Sequence, residues 1–518
     1  MKLSLIAGAT LFSLGLASGA SQLPLAQYVS TLEASAMADL LQALETMQSQ
    51  FFEIWQGTWP DAIDWTRAVM STHIAAGMTS FTKSKQPDFS LEHENLVNGY
   101  FSQMTTYYFG QDAIGLRLQA YDDILWVVLG WLESIQFLNH HSDIHFAPQG
   151  NSTWYGKSFS PAFAHRARVF WELAVDGWDE VLCGGGMVWS PWLGPYKNAI
   201  TNELFIAASV NMYLYFPGDD NDFPFSNTDD VPGKKHDEKF LDAAVKGINW
   251  LHKSNMTNDQ GLYFDGFHIK GWRKDDNGTG KCDVPDLMVY TYNQGVILSG
   301  YRGLWSATGD LSYLTTGHEL IRNVIAATGW FTGHSSEHEW AGLGRDGVLE
   351  DACDSGGYCS QDGQTFKGIF FHHLTVFCQP LPVGAQQAPF HGADRATAGL
   401  HRASCLEYAP WVQRNAEAAI GTRDEKGVFG MWWTVGLEEH DGTHKMSPAP
   451  VMGTDYRNRG LPVDSVWARS KGDMNNRFAA GHSNSITHDP NERGRGRTVE
   501  SHSGGVAVLR AHYEFSKL

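Results

Sequence analysis

Apolar residues recur at three- and four-residue spacing along most of the chain, the period of helices with one buried face. The pattern predicts helices over 24–52, 61–82, 91–109, 118–138, 160–177, 196–216, 237–254, 288–307, 310–327, 364–378, 406–421 and 500–514. There is no strand–helix alternation and no Gly-rich dinucleotide loop, which argues against a parallel-sheet fold. In Trp305-Ser-Ala-Thr-Gly-Asp310, Gly309 can end one helix and Asp310 can cap the next. So tight a turn makes neighbouring helices antiparallel. Helices in hairpins predict an all-α ring of six inner and six outer members, an (α/α)6 barrel forming one domain over 21–518. A solenoid of helix pairs is the rival, but no fixed period is visible. Long irregular stretches fall at 217–236, 267–287, 331–363 and 430–499; loops of this length are commonly functional.

The helical pattern is most informative at its polar interruptions. Asp122 and Asp123 open the apolar run Ile124-Leu-Trp-Val-Val-Leu-Gly-Trp-Leu132. One Asp in a first turn is ordinary capping. Two adjacent ones repel, which drives their pKa values apart, as an acid/base pair requires. Tyr196-Lys-Asn-Ala-Ile-Thr-Asn-Glu203 and Tyr290-Thr-Tyr-Asn-Gln294 likewise place polar side chains at helix mouths, and Asp265 lies between aromatics in Gly261-Leu-Tyr-Phe-Asp-Gly-Phe267. Leu182-Cys-Gly-Gly-Gly-Met-Val-Trp189 reads either as a flexible turn or as a loop approaching a ligand, with Trp189 or Trp192 as a platform. In a ring, alternate helix mouths meet at one end. A bowl of Asp, Asn, Gln, Tyr and Trp suits a polyhydroxylated ligand; plain capping at each mouth is the competing account.

Composition narrows the picture. The net charge of −19 argues against nucleic acid and anionic membrane surfaces as partners. Lys2, the apolar Leu3–Leu16 and Ser18-Gly-Ala20 read as a signal peptide over 1–20, too short to span a bilayer. With no hydrophobic tail at the C-terminus, a secreted, extracellular monomer is expected. Six cysteines allow 15 pairings; Cys353–Cys359, across Gly356-Gly357, is the favoured one. Sequons at Asn151, Asn255 and Asn277 are candidate glycosylation sites. Cys353-Asp-Ser-Gly-Gly357 imitates a serine-protease motif, but a helical scaffold without a placed His does not support that chemistry. No His-Glu-x-x-His or Cys-x-x-Cys occurs, so neither metal nor cofactor is expected. Arg493-Gly-Arg-Gly-Arg497 is too short for a nucleic-acid arm and reads as a loop contacting carboxylates.

Taken together, Tyr121-Asp-Asp123 with Trp126, Cys183-Gly-Gly-Gly-x-x-Trp189, Lys197-Asn-Ala-Ile-Thr-Asn-Glu203 and Thr291-Tyr-Asn-Gln-Gly295 resemble glycoside hydrolase family 76, the α-1,6-mannanase family, over roughly residues 60 to 515. The resemblance implies an (α/α)6 barrel and retaining cleavage of α-1,6-mannosidic linkages in mannan or another mannose-containing glycan. It implies Asp122 as nucleophile, Asp123 as general acid/base, and Tyr121, Trp189, Asn198, Asn202, Asp265, Tyr292 and Asn293 around the sugar. Retention needs carboxyl groups about 5–5.5 Å apart. Consecutive helical residues do not face one another, so the pair is expected at the very start of its helix, with Asp122 ionised and Asp123 protonated. Alternatives are a transglycosidase remodelling wall glycans through the same aspartates and a non-catalytic glycan-binding protein on this scaffold.

Overall fold

The computed structural model describes residues 25–85, 89–147, 152–221, 233–330, 338–437, 449–458 and 489–518. The predicted leader and Asn151 lie outside them. Within them are twelve α-helices: α1 Leu25–Phe51, α2 Asp64–Ser84, α3 Leu91–Gly110, α4 Tyr121–His145, α5 Ser160–Val175, α6 Ala199–Tyr215, α7 Glu238–Lys253, α8 Val296–Thr308, α9 Ser312–Ala327, α10 Gln361–Phe377, α11 Arg395–Gly421 and α12 Val499–Ser516. The even-numbered helices touch in succession, α2 to α4 to α6 to α8 to α10 to α12, and α12 returns to α2. The odd-numbered helices pack outside them, as α5 on α4, α7 on α6, α9 on α8 and α1 on α12. The ring predicted from the hairpins is therefore closed. No helix among the described residues is long and apolar enough to cross a membrane.

Side-chain character sorts the two layers. α6 is buried from Ala199 to Leu214 except at Asn211, so it packs on every side, with apolar or small residues beyond Glu203. α7 instead buries one stripe: Phe240, Ala244, Gly247, Ile248, Trp250 and Leu251. Inner neighbours approach closely at glycine. A Cβ on Gly303 of α8 would lie 2.5 Å from Cγ1 of Val210 on α6; overpacking of this kind costs about 1–3 kcal/mol. The bore is filled from several sides. Trp126 of α4 faces His373 of α10 with ring centroids 6.4 Å apart, and His73 of α2 faces His372 of α10 at 5.6 Å. His73 Nδ1 also meets Ser503 of α12 at 2.8 Å, and His373 Nδ1 meets Ser299 of α8 at 2.6 Å. Burial pushes both histidines down to about 3, so they act as neutral hydrogen-bonding groups.

Small β elements finish the end where the inner helices begin. β1 (Lys197–Asn198), β2 (Gly266–Ile269) and β3 (Cys282–Asp286) form an antiparallel sheet in that order; β4 (Gly344–Arg345) and β5 (Val348–Leu349) form a hairpin. Disulfides join Cys183–Cys282, Cys353–Cys359 and Cys378–Cys405; the second is the pairing favoured from sequence.

Six helix starts lie three residues or more from expectation, those of α2, α4, α6, α8, α10 and α11, and three of them have a visible cause. Tyr196, Lys197 and Asn198 precede α6, because Lys197 and Asn198 pair with Phe267 and Gly266. Residues 288–295 precede α8. There Asp351 takes the Thr291 amide at 2.9 Å and its hydroxyl at 2.7 Å, and Gln294 Nε2 donates to the carbonyls of Tyr263 and Tyr290 at 2.8 and 3.0 Å. α11 begins at Arg395, capped by Asp394, where exposed polar residues conceal the apolar period.

Candidate active site

All six inner helices begin at the same end of the ring. Asp122 and Asp123 are the second and third residues of α4, as expected for a pair that must diverge. The start of α4 is fixed from outside: the Tyr121 amide donates to the Trp189 carbonyl at 2.9 Å. Asp122 is only 2 % exposed. Its Oδ2 accepts the indole N–H of Trp189 at 3.1 Å and the Arg457 guanidinium at 2.9 Å; its Oδ1 accepts the Asp123 amide at 3.1 Å.

These contacts separate the two carboxyls chemically. Burial raises the Asp122 pKa, but Arg457 and the hydrogen bonds from the Asp123 amide and Trp189 pull it back. Burial and then the Asp122 charge push Asp123 well above the carboxylate range against the pull of the Arg457 charge, with Asp362 adding to the rise. Both carboxyls are raised, Asp123 the more strongly, which is the sense of separation an acid/base pair needs.

Beside the pair opens a cavity of about 490 Å³, lined by Trp189, Leu193, Tyr196, Asn198, Asp265, His268, Trp272, Asp362, Tyr456 and Arg457 among others. Asp265 lies at its base. Tyr196 Oη donates to Asp265 Oδ2 at 2.6 Å, while Oδ1 has no hydrogen-bond partner. Burial raises this carboxyl to about 6, against the Tyr196 bond and the Arg457 charge. Asn198 Oδ1 and both amide atoms of Asn293 are also buried without a hydrogen-bond partner. Such groups are costly unless something satisfies them, and a ligand rich in hydroxyls would. His268 stacks on Tyr196 with centroids 4.3 Å apart, and Tyr456 meets both rings at an edge. The walls thus offer flat apolar faces and the floor offers acceptors.

The sequence-predicted residues divide into two groups. Asp122, Asp123, Trp189, Asn198, Asp265, Tyr292 and Asn293 gather at this end. Tyr292 is buried and stacks on Phe366 at 3.8 Å. Tyr121 is nearly buried and contributes through its main chain. Asn202 is 0 % exposed and bonds the Met187 amide at 2.8 Å, the Met187 carbonyl at 3.2 Å and the Asn198 carbonyl at 2.8 Å. Its side chain is occupied in holding the glycine-rich loop and does not line the cavity. That loop itself serves backbone shape: residues 183–186 all have positive φ, and a Cβ on Gly186 would lie 2.5 Å from Cε2 of Trp250. Only its end, Trp189, reaches the site, and Trp192 stands 70 % exposed beyond it.

Arg457, Asp362 and Tyr456 were not singled out from the sequence. Asp362, in the first turn of α10, accepts from the Trp65 indole at 2.8 Å; acid at a first turn was its only signal. Arg457 and Tyr456 belong to the segment 449–458 within the longest irregular region. This strap is pinned at three points. The Thr454 amide donates to Asp286 Oδ1 at 3.0 Å, Tyr290 Oη donates to Asp455 at 2.8 Å, and Asn458 Oδ1 accepts the Ser360 amide at 2.6 Å. Gly453 is required for the approach, since a Cβ there would lie 2.0 Å from Asp286 Oδ1. Further along, Arg497 does contact carboxylates, pairing with Asp489 at 2.5 Å and Glu492 at 2.6 Å.

The geometry has parallels among known proteins. The chain is 24% identical over 263 residues to mannan endo-1,6-alpha-mannosidase DCW1 of Saccharomyces cerevisiae, covering 46% of this chain and 49% of that protein. It is 29% identical over 223 residues to mannan endo-1,6-alpha-mannosidase DFG5 of the same yeast, covering 41% and 39%. It thus spans about half the length, or less, of these curated relatives. Among solved structures, the α-1,6-mannanase GH76A of Salegentibacter sp. HEL1_6, in an inactive variant with two consecutive aspartates replaced by alanine and α-1,6-mannotetrose bound, superposes with a TM-score of 0.54 at 15% identity. That match covers 93% of this chain and 99% of the bacterial one. The family model for glycosyl hydrolase family 76 matches residues 151–449, more than half of the chain. The chain belongs to glycosyl hydrolase family 76.

Proposed function

We propose that this protein is a secreted, retaining endo-α-1,6-mannosidase acting on mannan or a related mannose-rich glycan. The observation that carries the reading is the unequal environment of two consecutive aspartates: Asp122 accepts Trp189 and Arg457, while Asp123 is driven to hold a proton. A consecutive aspartate pair is also what was replaced in the inactive bacterial mannanase. In the first step an Asp122 carboxylate oxygen attacks the anomeric carbon, and the glycosidic C–O bond breaks as Asp123 gives its proton to the leaving oxygen. In the second step Asp123 takes a proton from water, whose oxygen displaces Asp122 from that carbon. Asn198, Asp265 and Asn293 bind sugar hydroxyls, and Trp189 and Tyr196 supply flat faces. Three disulfides and the exposed sequon residues Asn255 and Asn277 support an oxidising, extracellular setting.

The test is mass analysis of products from linear α-1,6-mannan oligosaccharides in isotopically labelled water. Shorter labelled mannosides, absent with Asp122→Asn and Asp123→Asn, are expected. Longer unlabelled oligomers would replace hydrolysis with glycosyl transfer, and no turnover by the wild type would overturn the substrate assignment.

A further inference from the structure

The mouth of the ring concentrates acid. Asp122 and Asp123 come from α4, Asp265 from the turn before β2, Asp362 from α10 and Glu500 from α12. Glu500 is turned onto Thr66 and Gln361. The cations nearby are committed elsewhere: Lys367 pairs with Asp354 at 2.6 Å, and Lys197 is bound to Asp179 and the Gly186 carbonyl. Arg457 is different. Its guanidinium pairs with Asp122 at 2.9 Å, lies 5.0 Å from the centroid of the Trp189 ring, and keeps 17 % of its side chain exposed. Tyr292, Asp265 and Asp362 also interact with it electrostatically. Its own segment adds Asp455, which is engaged by Tyr290 and Asn458, and Tyr456, whose hydroxyl lies 3.4 Å from Nε2 of His268.

We infer that Arg457 is a positioning residue that decides which aspartate of the pair is the anion, a role that rests on the reading of Asp122 as nucleophile. The argument is geometric. Arg457 hydrogen-bonds Asp122 and reaches Asp123 through its charge alone, so Asp122 is the more strongly stabilised as the anion. Trp189 holds the same oxygen and presents its ring beside the guanidinium, restricting where the charge can sit. The strap delivers the cation through contacts to three parts of the ring mouth: Asp286, Tyr290 and Ser360. Without it, two adjacent buried carboxyls have comparable claims to the proton, and the nucleophile is protonated over a wider span of pH.

The experiment has two readouts. The first is the pH dependence of kcat/KM on linear α-1,6-mannotetraose for wild type, Arg457→Gln and Arg457→Lys. The second needs no substrate: infrared difference titration of the carboxyl groups in wild type and Arg457→Gln, with Asp122→Asn in each background to assign the band. In Arg457→Gln the acidic limb and the Asp122 band are expected to move up by ~1–3 pH units, with kcat lowered; Arg457→Lys should recover most of the shift. Tyr290→Phe slackens the strap and should give a smaller shift of the same sign even if the glutamine variant does not fold; its absence counts against the assignment. A lowered kcat with limb and band unmoved would make Arg457 merely structural and overturn the inference. Inactive wild type would defeat the substrate reading alone, because the infrared band would still decide the role of Arg457.

Discussion

The Trp189 indole donates to Oδ2 of Asp122 at 3.1 Å, while the carbonyl of the same tryptophan accepts the amide of Tyr121 at 2.9 Å. One residue thus orients both the carboxylate and the helix start that carries it. Trp189→Phe keeps the ring and the backbone bond but removes the donor. A hydrogen bond to a charged group is worth about 1.5–3 kcal/mol, so kcat/KM should fall about 10- to 100-fold. Steady-state kinetics on mannotetraose checks this; a change within twofold would show that the bond is dispensable.

Glu203 lies on α6, 0 % exposed, with neither carboxyl oxygen hydrogen-bonded. Burial, with the Asp265 charge, raises its pKa well above the usual value. The folded state therefore keeps a proton that the unfolded chain releases above about pH 4.3. Stability is lost as pH rises from there to the folded pKa, at about 1.4 kcal/mol per pH unit. Glu203→Gln removes this slope. Urea midpoints followed upward from about pH 4.3 should fall less steeply in the variant; parallel curves would contradict the account.

Lys367 and Asp354 form a buried ion pair at 2.6 Å, and the neighbouring Asp351, raised to about 7 by burial against the Lys367 charge, clamps Thr291 just before Tyr292 and Asn293. Lys367→Met leaves two buried carboxyls without that cation, which should cost about 3–5 kcal/mol. A second change, Asp354→Asn, should restore much of the loss. Thermal melts of the single and double variants decide it, and equal melting temperatures in both would sink the coupling.

Cys183–Cys282 closes a span of 99 residues and ties the glycine-rich loop to β3. Replacing both cysteines by alanine should cost about 2–5 kcal/mol and weaken substrate binding, because the loop carries Trp189. Denaturation together with KM measurement tests both effects; loss of stability with KM unchanged would detach the loop from the site.

Much of this was legible in the sequence because two signals are local. The helical period is written in each segment, so α1, α3 and α5 begin and end within one or two residues of expectation. The aspartate pair was legible because adjacent like charges at the mouth of an apolar helix need a reason. Arg457 was not legible, since nothing local marks an arginine in a long irregular stretch; its meaning comes from Asp286, Tyr290 and Ser360, distant in sequence. The role of Asn202 was misjudged for the converse reason. Its place at a helix mouth resembles that of Asn198, and only the tertiary fold shows that its amide is spent on Met187.

The filled bore has a consequence for traffic. Trp126, His73, His372, His373 and Ser503 meet between the inner helices, so a polymer cannot be threaded through the ring and released at the back. On the proposed function, a strand is laid across the open face, and both fragments depart by the way the strand arrived. On that same function, successive cuts along one molecule then depend on rebinding or sideways sliding, because the described residues form no tunnel to retain it.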